Sequence, residues 1–126
     1  MNGAKILIAE DENIVALDIK NSLTKLGYRV TSIASTGIDV MTQIEEHKPD
    51  LILMDIMLKS ALDGIDAAEL ISHRYKIPII YVTSSTDKTT YERARSTKPS
   101  DFIIKPFDMG RLQSAIEKVL NNQLPN

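Results

Sequence analysis

The 126-residue chain has no cysteine and no tryptophan, and only 5% of its residues are aromatic. Without cysteine it can form neither disulfides nor thiolate metal sites, a composition typical of the reducing cytoplasm. So few aromatic side chains do not supply a stacking platform for nucleic-acid bases. No apolar run approaches the roughly 18 residues of a membrane span, and the N-terminus lacks a signal-peptide pattern. We therefore expect a cytoplasmic domain without a membrane segment.

Neither positive nor negative residues predominate in the sequence. The sequence has 15 Lys and Arg against 17 Asp and Glu, a formal net charge of −2. Because basic residues neither dominate nor cluster, we expect no direct binding of nucleic acid. The length suits one domain with a proper core, and we predict a single domain over residues 1–126.

Short apolar runs alternate five times with amphipathic segments. The runs are typical of strands that are covered on both faces. Strands are predicted over Lys5–Ala9, Arg29–Ala34, Leu51–Met54, Pro78–Val82 and Asp101–Ile104. Helices are predicted over Val15–Leu26 (ended by Gly27), Gly37–His47, Gly64–Tyr75, Asp87–Thr97 and Met109–Leu120 (behind Asp108 as N-cap). This alternation implies an α/β fold with a mostly parallel sheet and helices on both faces.

The fourth of these helices has the weakest helical pattern. Only Tyr91 and Ala94 offer apolar contacts, and Thr89 and Thr90 lower its helix propensity. We expect it to dock loosely on the sheet.

Polar residues follow most of the predicted strands. Ligands of open parallel sheets bind beyond the carboxyl ends of the strands, so residues at these positions are candidates for a site. They are Glu10, Asp11 and Glu12 after the first strand, Asp55 after the third, Thr83, Ser84 and Ser85 after the fourth, and Lys105 and Pro106 after the fifth.

The residue types in this set suit phosphoryl transfer. Carboxylates of Glu10, Asp11 and Asp55 at one edge would repel one another unless a cation lies among them, and Mg²⁺ prefers such oxygen ligands. Lys105 and the Thr83 hydroxyl could hold phosphoryl oxygens. Asp55 stands alone at the end of a buried strand, which makes it the candidate nucleophile for an aspartyl-phosphate.

Each residue also has an ordinary structural explanation, which for any one of them alone is favoured. The acids at 10–12 could cap the first helix, Asp55 could be a loop acid, and Thr83–Ser85 could form a turn. Lys105 could be a solvated lysine before a turn proline. The joint pattern is much stronger, because four residue types occupy four strand ends of one sheet.

Four segments in this order resemble the receiver domains of response regulators in two-component (His-Asp phosphorelay) signalling. They are Lys5-Ile-Leu-Ile-Ala-Glu-Asp-Glu, Asp50-Leu-Ile-Leu-Met-Asp-Ile-Met, Tyr81-Val-Thr-Ser and Phe102-Ile-Ile-Lys-Pro-Phe. The resemblance runs from Lys5 to Leu120. The residues of these segments are also similar to those of receiver domains found beside sensor histidine kinases. It implies a doubly wound, flavodoxin-like sheet of five parallel strands in the order 2-1-3-4-5, with five helices on two faces.

The resemblance also implies roles for individual residues. Asp55 would accept a phosphoryl group from a histidine kinase or phosphotransfer protein. Asp11, Asp55 and the backbone carbonyl of Met57 would hold Mg²⁺, with Glu10 acting through water. Such a domain is no enzyme in the usual sense, although it catalyses its own phosphorylation and dephosphorylation.

For the response to phosphorylation, the resemblance implies that Thr83 hydrogen-bonds the phosphoryl group and Lys105 pairs with it. Phe102 would be the switch aromatic, and the Lys105–Pro106 peptide bond would be cis. The face formed by the fourth helix, fifth strand and fifth helix would then change shape and bind a partner or a second copy of the chain.

The sequence departs from the usual receiver pattern in three places. Lys59 stands where a proline is common, the Asp55–Gly64 loop is one residue longer than usual, and Lys98-Pro99 replaces Gly-Ala before the fifth strand. Lys59 could reach toward the phosphoryl site. Two other functions stay open: a flavodoxin-like enzyme or cofactor carrier, which the acidic first loop disfavours, and a pseudo-receiver that is never phosphorylated.

Overall fold

Strands and helices alternate along the chain as the sequence predicts. The computed structural model describes residues 3–58, 62–84 and 87–121. The strands are β1 (Lys5–Ala9), β2 (Arg29–Ala34), β3 (Leu51–Met54), β4 (Ile79–Thr83) and β5 (Asp101–Ile104). The helices are α1 (Asn13–Lys25), α2 (Gly37–His47), α3 (Gly64–Arg74), α4 (Lys88–Ser96) and α5 (Met109–Asn121).

The five strands form one parallel sheet in the order β2-β1-β3-β4-β5, as the family resemblance implied. One buried cluster joins α1 and α5 to one face of the sheet, and a second joins α2, α3 and the Ala94 side of α4 to the other. Because β3 is covered on both faces, all four of its residues are buried. None of the helices in the described part of the chain is long and apolar enough to cross a membrane.

Eight predicted boundaries are wrong by one or two residues: both ends of α1, β4 and α4, and the C-terminal ends of α3 and α5. The fourth strand begins at Ile79 rather than Pro78 and continues to Thr83, because Thr83 still pairs with Ile104 of β5. The third helix ends at Arg74, since Tyr75 has an extended backbone although its N–H still bonds the carbonyl of Ile71. Thr83 therefore belongs to the strand and not to the loop after it.

Local capping explains where several helices begin and end. Gly27, with φ of 96°, follows α1, and the N–H of Tyr28 bonds the carbonyl of Leu23, which is a Schellman ending. Asp108 accepts the N–H of Arg111 and so caps α5 as predicted. In α4 only Ala94 is buried, which agrees with the loose docking expected from its sequence.

Candidate functional site

Three carboxylates meet at the carboxyl end of the sheet. Glu10 and Asp11 follow β1, Asp55 follows β3, and these two strands are paired neighbours. One carboxylate oxygen from each residue lies within 4.8 Å of the other two. Glu10 and Asp55 are only 2% and 6% exposed. Because like charges repel strongly where water is scarce, the carboxylate group requires a cation nearby.

Lys105 supplies one positive charge. Its Nζ lies 2.5 Å from Oε1 of Glu10 and 3.6 Å from Oδ2 of Asp55. Its backbone N–H donates to the carbonyl of Thr83 at 2.8 Å, which fixes the end of β5 beside β4. The Lys105–Pro106 peptide bond is cis, as the resemblance implied. One ammonium among three carboxylates still leaves a formal charge of 1 − 3 = −2 in the group.

The pKa values of Glu10 and Lys105 both lie above their ordinary values. Burial raises the pKa of Glu10, and the charge of Asp55 raises it further, while the hydrogen bond from Lys105 lowers it; the balance lies above the ordinary value. Burial lowers the pKa of Lys105, but its hydrogen bond to Glu10 and the charge of Asp55 raise it more. Lys105 is therefore a stable cation at neutral pH.

The acids after β1 lie just before the start of α1. Glu12 occupies the N-cap position of α1 without a capping bond from its side chain, and the first turn of α1 contains no acidic residue. Instead, Oε2 of Glu10 accepts the backbone N–H of Glu12 at 3.2 Å. The capping explanation therefore fails for Glu12, while the carboxylates of Glu10 and Asp11 lie in the group with Asp55.

The loop after β3 is tied back to Asp55. The N–H of Met57 donates to Oδ1 of Asp55 at 3.0 Å, and the N–H of Gly64 donates to the carbonyl of Ile56 at 3.1 Å. Met57 itself is 56% exposed. The sequence allowed Lys59 to reach toward the site. Both Lys59 and Ser85 lie outside the described residues.

Thr83 and Phe102 lie in neighbouring strands at different depths. Thr83 is fully buried at the carboxyl end of β4, which pairs with β3. Phe102 is not part of the carboxylate group: it lies half-buried in β5. Its ring contacts Tyr91 of α4 at a centroid distance of 4.9 Å and Tyr81 of β4 at 6.0 Å.

Tyr81 forms a link that the sequence reasoning missed. It is fully buried, and its hydroxyl shares a hydrogen bond of 2.7 Å with the Thr97 hydroxyl at the end of α4. Burial raises the pKa of Tyr81 to about 12. The available signal was a phenol in the middle of an otherwise aliphatic strand, since a buried tyrosine requires a hydrogen-bond partner.

The chemistry of the donor set fits a hard divalent cation. All three side chains offer carboxylate oxygens, which Mg²⁺ prefers, and the formal charge of −2 matches the charge of such an ion. Within the ranges that the structure describes, no other cluster brings three acidic or histidine side chains close enough to share a metal.

Comparison with known proteins identifies the family and agrees with the fold. The family model for the response regulator receiver domain matches residues 6–117. The transcriptional regulatory protein PdtaR of Mycobacterium tuberculosis is 36% identical over 113 residues, which cover 90% of this chain and 55% of PdtaR. The chain thus spans about half the length of that relative. The chemotaxis protein CheY of Bacillus subtilis is 34% identical over 118 residues, covering 93% of this chain and 98% of CheY.

Solved structures show the same architecture. The signal receiver domain of a modulated diguanylate cyclase from Desulfovibrio desulfuricans has a TM-score of 0.90 and 32% identity, covering 96% of both chains. The receiver domain of the sensor histidine kinase PA1611 from Pseudomonas aeruginosa, solved with a magnesium ion in its active-site cleft, has a TM-score of 0.83 and 32% identity, covering 92% of this chain and 96% of that one. The chain belongs to the receiver-domain family of response regulators.

Proposed function

We propose that this chain, as a single receiver domain over residues 1–126, is a signalling switch operated by phosphorylation of Asp55. The phosphoryl donor would be the phosphohistidine of a sensor histidine kinase or of a phosphotransfer protein. The observation that carries the proposal is the placement of Asp55, whose buried carboxylate lies within 4.8 Å of two other carboxylates and 3.6 Å from the ammonium of Lys105.

The acidic group would hold Mg²⁺. Asp11 and Asp55, with the backbone carbonyl of Met57, are the proposed ligands, and Glu10 would act through a bound water. When bound, the ion would neutralise charge that develops on the transferring phosphoryl oxygens. Support comes from the donor set described above and from the magnesium ion in the related PA1611 receiver domain.

In the transfer step, a carboxylate oxygen of Asp55 attacks the phosphorus atom in line with the leaving imidazole. The new O–P bond forms as the P–N bond breaks, and the imidazole nitrogen keeps the electron pair and takes up a proton. Lys105 pairs with a phosphoryl oxygen, and the Thr83 hydroxyl donates a hydrogen bond to another. Attack by water on the same phosphorus returns the free carboxylate and inorganic phosphate, so the domain also ends its own signal.

Phosphorylation would be read out at α4, β5 and α5. The Thr83 hydroxyl would move to the phosphoryl group, and the ring of Phe102 would then turn into the space vacated by that hydroxyl. Phe102 already contacts Tyr91 of α4, and α4 buries only Ala94. A weakly packed helix has a low free-energy cost of movement, so the α4–β5–α5 face would change shape and bind a partner or a second copy of the chain.

Acetyl phosphate, a small phosphoryl donor, tests this proposal without the cognate kinase. With Mg²⁺, intact-mass spectrometry should show the addition of one phosphoryl group to the wild type, and EDTA should prevent it. Asp55→Asn should remain unmodified, whereas Asp18→Asn, which changes an exposed acid on α1, should react like the wild type. Equal modification of Asp55→Asn would show that Asp55 is not the nucleophile.

A further inference from the structure

The first residue of α2 lies against the loop that leaves the phosphoacceptor strand. A Cβ atom on Gly37 would lie 2.3 Å from the backbone oxygen of Leu62 and 3.0 Å from the Leu62 Cβ and Cγ atoms. Heavy atoms do not approach this closely without repulsion, and the nearest atom belongs to the backbone, which cannot rotate away. With the loop in this position, only glycine fits at residue 37.

The other end of the same short segment lies against Asp55. A Cβ atom on Gly64 would lie 2.1 Å from the backbone oxygen of Asp55 and 2.9 Å from the Cα of Ile56. The N–H of Gly64 also bonds the carbonyl of Ile56. The segment from Leu62 to Gly64 is therefore held between α2 on one side and the backbone of the phosphoacceptor on the other.

From these two contacts we infer that Gly37 is a positioning residue for Asp55. It allows the loop after β3 to pack against α2, and the loop in turn holds the backbone that carries the Asp55 carboxylate and the Met57 N–H bonded to it. No atom of Gly37 belongs to the carboxylate group. The inference rests on the proposed function, because it assigns Gly37 to the phosphorylation of Asp55.

A side chain at residue 37 should therefore impair the site from outside it. In Gly37→Ala, the loop or α2 must move to relieve the contact with Leu62, and the shift reaches Asp55 through Gly64. Misplacement of a reacting group by about 1 Å can lower a rate by about 100-fold. We expect the rate of phosphorylation by acetyl phosphate to fall at least about 10-fold, with a higher half-saturating Mg²⁺ concentration.

The chain offers two matched controls. Gly110 also lies in the first turn of a helix, and a Cβ there meets only the movable carboxylate of Asp108, at 3.1 Å. Gly110→Ala should keep the wild-type rate within a factor of about two, because the atom that its Cβ would meet belongs to Asp108 and not to Leu62. Leu23→Ala weakens the packing of α1 in the core cluster on the opposite face of the sheet from Leu62, and it controls for loss of stability alone. This variant should also be phosphorylated at the wild-type rate at a temperature where it is folded.

A second measurement does not depend on phosphorylation. In amide NMR spectra recorded without metal, Gly37→Ala should shift the Met57 resonance, while Gly110→Ala and Leu23→Ala should leave it in place. If Gly37→Ala does not fold, Leu62→Gly removes the side chain that packs on Gly37 and should shift the same resonance. An unchanged Met57 resonance, or a Gly37→Ala rate equal to that of Gly110→Ala, would overturn the inference. If the wild type itself is not phosphorylated, the proposed function fails, and the Met57 resonance still decides whether Gly37 positions the loop.

Discussion

The carboxylate group should make the metal-free protein less stable than a variant with one acid fewer. Asp55→Asn tests this, because the side-chain oxygen that accepts the Met57 N–H can remain while the charge is removed. The amide nitrogen of the new side chain would take the place of Oδ2, which lies 3.6 Å from the Nζ of Lys105. The substitution therefore changes charge with little change in shape or packing.

The distances give the expected magnitude. At an effective dielectric constant of about 20, two carboxylates at 4.8 Å, the upper limit of the oxygen–oxygen distances in the group, repel by about 3.5 kcal/mol. The attraction between Asp55 and Lys105 over 3.6 Å is about 4.6 kcal/mol on the same scale. Repulsion from two carboxylates thus exceeds the attraction of one ammonium by about 2 kcal/mol. After solvent screening, Asp55→Asn should raise the free energy of unfolding by about 1–2 kcal/mol without metal.

Urea unfolding followed by far-UV circular dichroism measures this difference, and equal m-values would show that both proteins expose the same surface. In EDTA the variant should unfold at a higher urea concentration than the wild type. Mg²⁺ at ten times its dissociation constant should stabilise the wild type by about 1.4 kcal/mol, and it should stabilise the variant much less, so the gap should narrow. Asp18→Asn, which removes an exposed acid, should match the wild type in both conditions. A variant no more stable than the wild type in EDTA would refute the argument from repulsion.

Three further predictions concern other parts of the molecule. Tyr81→Phe keeps the buried ring but removes its bond to Thr97, so urea unfolding should show a loss of about 1 kcal/mol, and an unchanged midpoint would contradict the role of that bond. Burial raises the pKa of Asp101, but two 3.2 Å bonds from Arg111, the N–H of Phe102 and the charges of Arg111 and Lys118 together outweigh burial and lower that pKa. The ion pair should therefore raise the free energy of unfolding by up to about 1 kcal/mol at a pH above about 3.9. This contribution should disappear as the pH falls through the lower pKa that Asp101 has in the folded protein. Asp101→Asn should be less stable than the wild type at neutral pH but not in strong acid. An equal loss of unfolding free energy at both pH values would contradict the role of the ion pair. Lys98 has φ of 56°, which strains a residue with a Cβ, so Lys98→Gly should stabilise by about 0.5–1 kcal/mol; a lower unfolding temperature would contradict this.

Much of the fold was predictable because its signals are local. Gly27 ends α1 through a backbone conformation that glycine adopts without strain, and Asp108 caps α5 through its own side chain. Four strands have their predicted bounds, since each apolar run coincides with a strand that is covered by helices. The fourth strand is displaced by one residue because pairing with β5, and not its own composition, decides that Thr83 belongs to it.

The candidate site was predictable to a similar depth. Parallel strands place their carboxyl ends at one edge, so Glu10, Asp11, Asp55 and Lys105 could be grouped from their positions after strands. Which acid pairs with Lys105 could not be predicted from the sequence. Glu10 rather than Asp55 is the nearer partner because of distances of 2.5 Å and 3.6 Å across the sheet.

By itself, the sequence determined the order of the elements, the parallel sheet and the set of residues at its carboxyl edge, because periodicity, caps and strand ends are properties of neighbouring residues. Only the tertiary structure decided which side chains touch: Tyr81 bonds Thr97, Phe102 lies against Tyr91, and Gly37 leaves room for the Leu62 backbone. These contacts join residues of separate elements, and their distances are set by the packing of whole helices and strands.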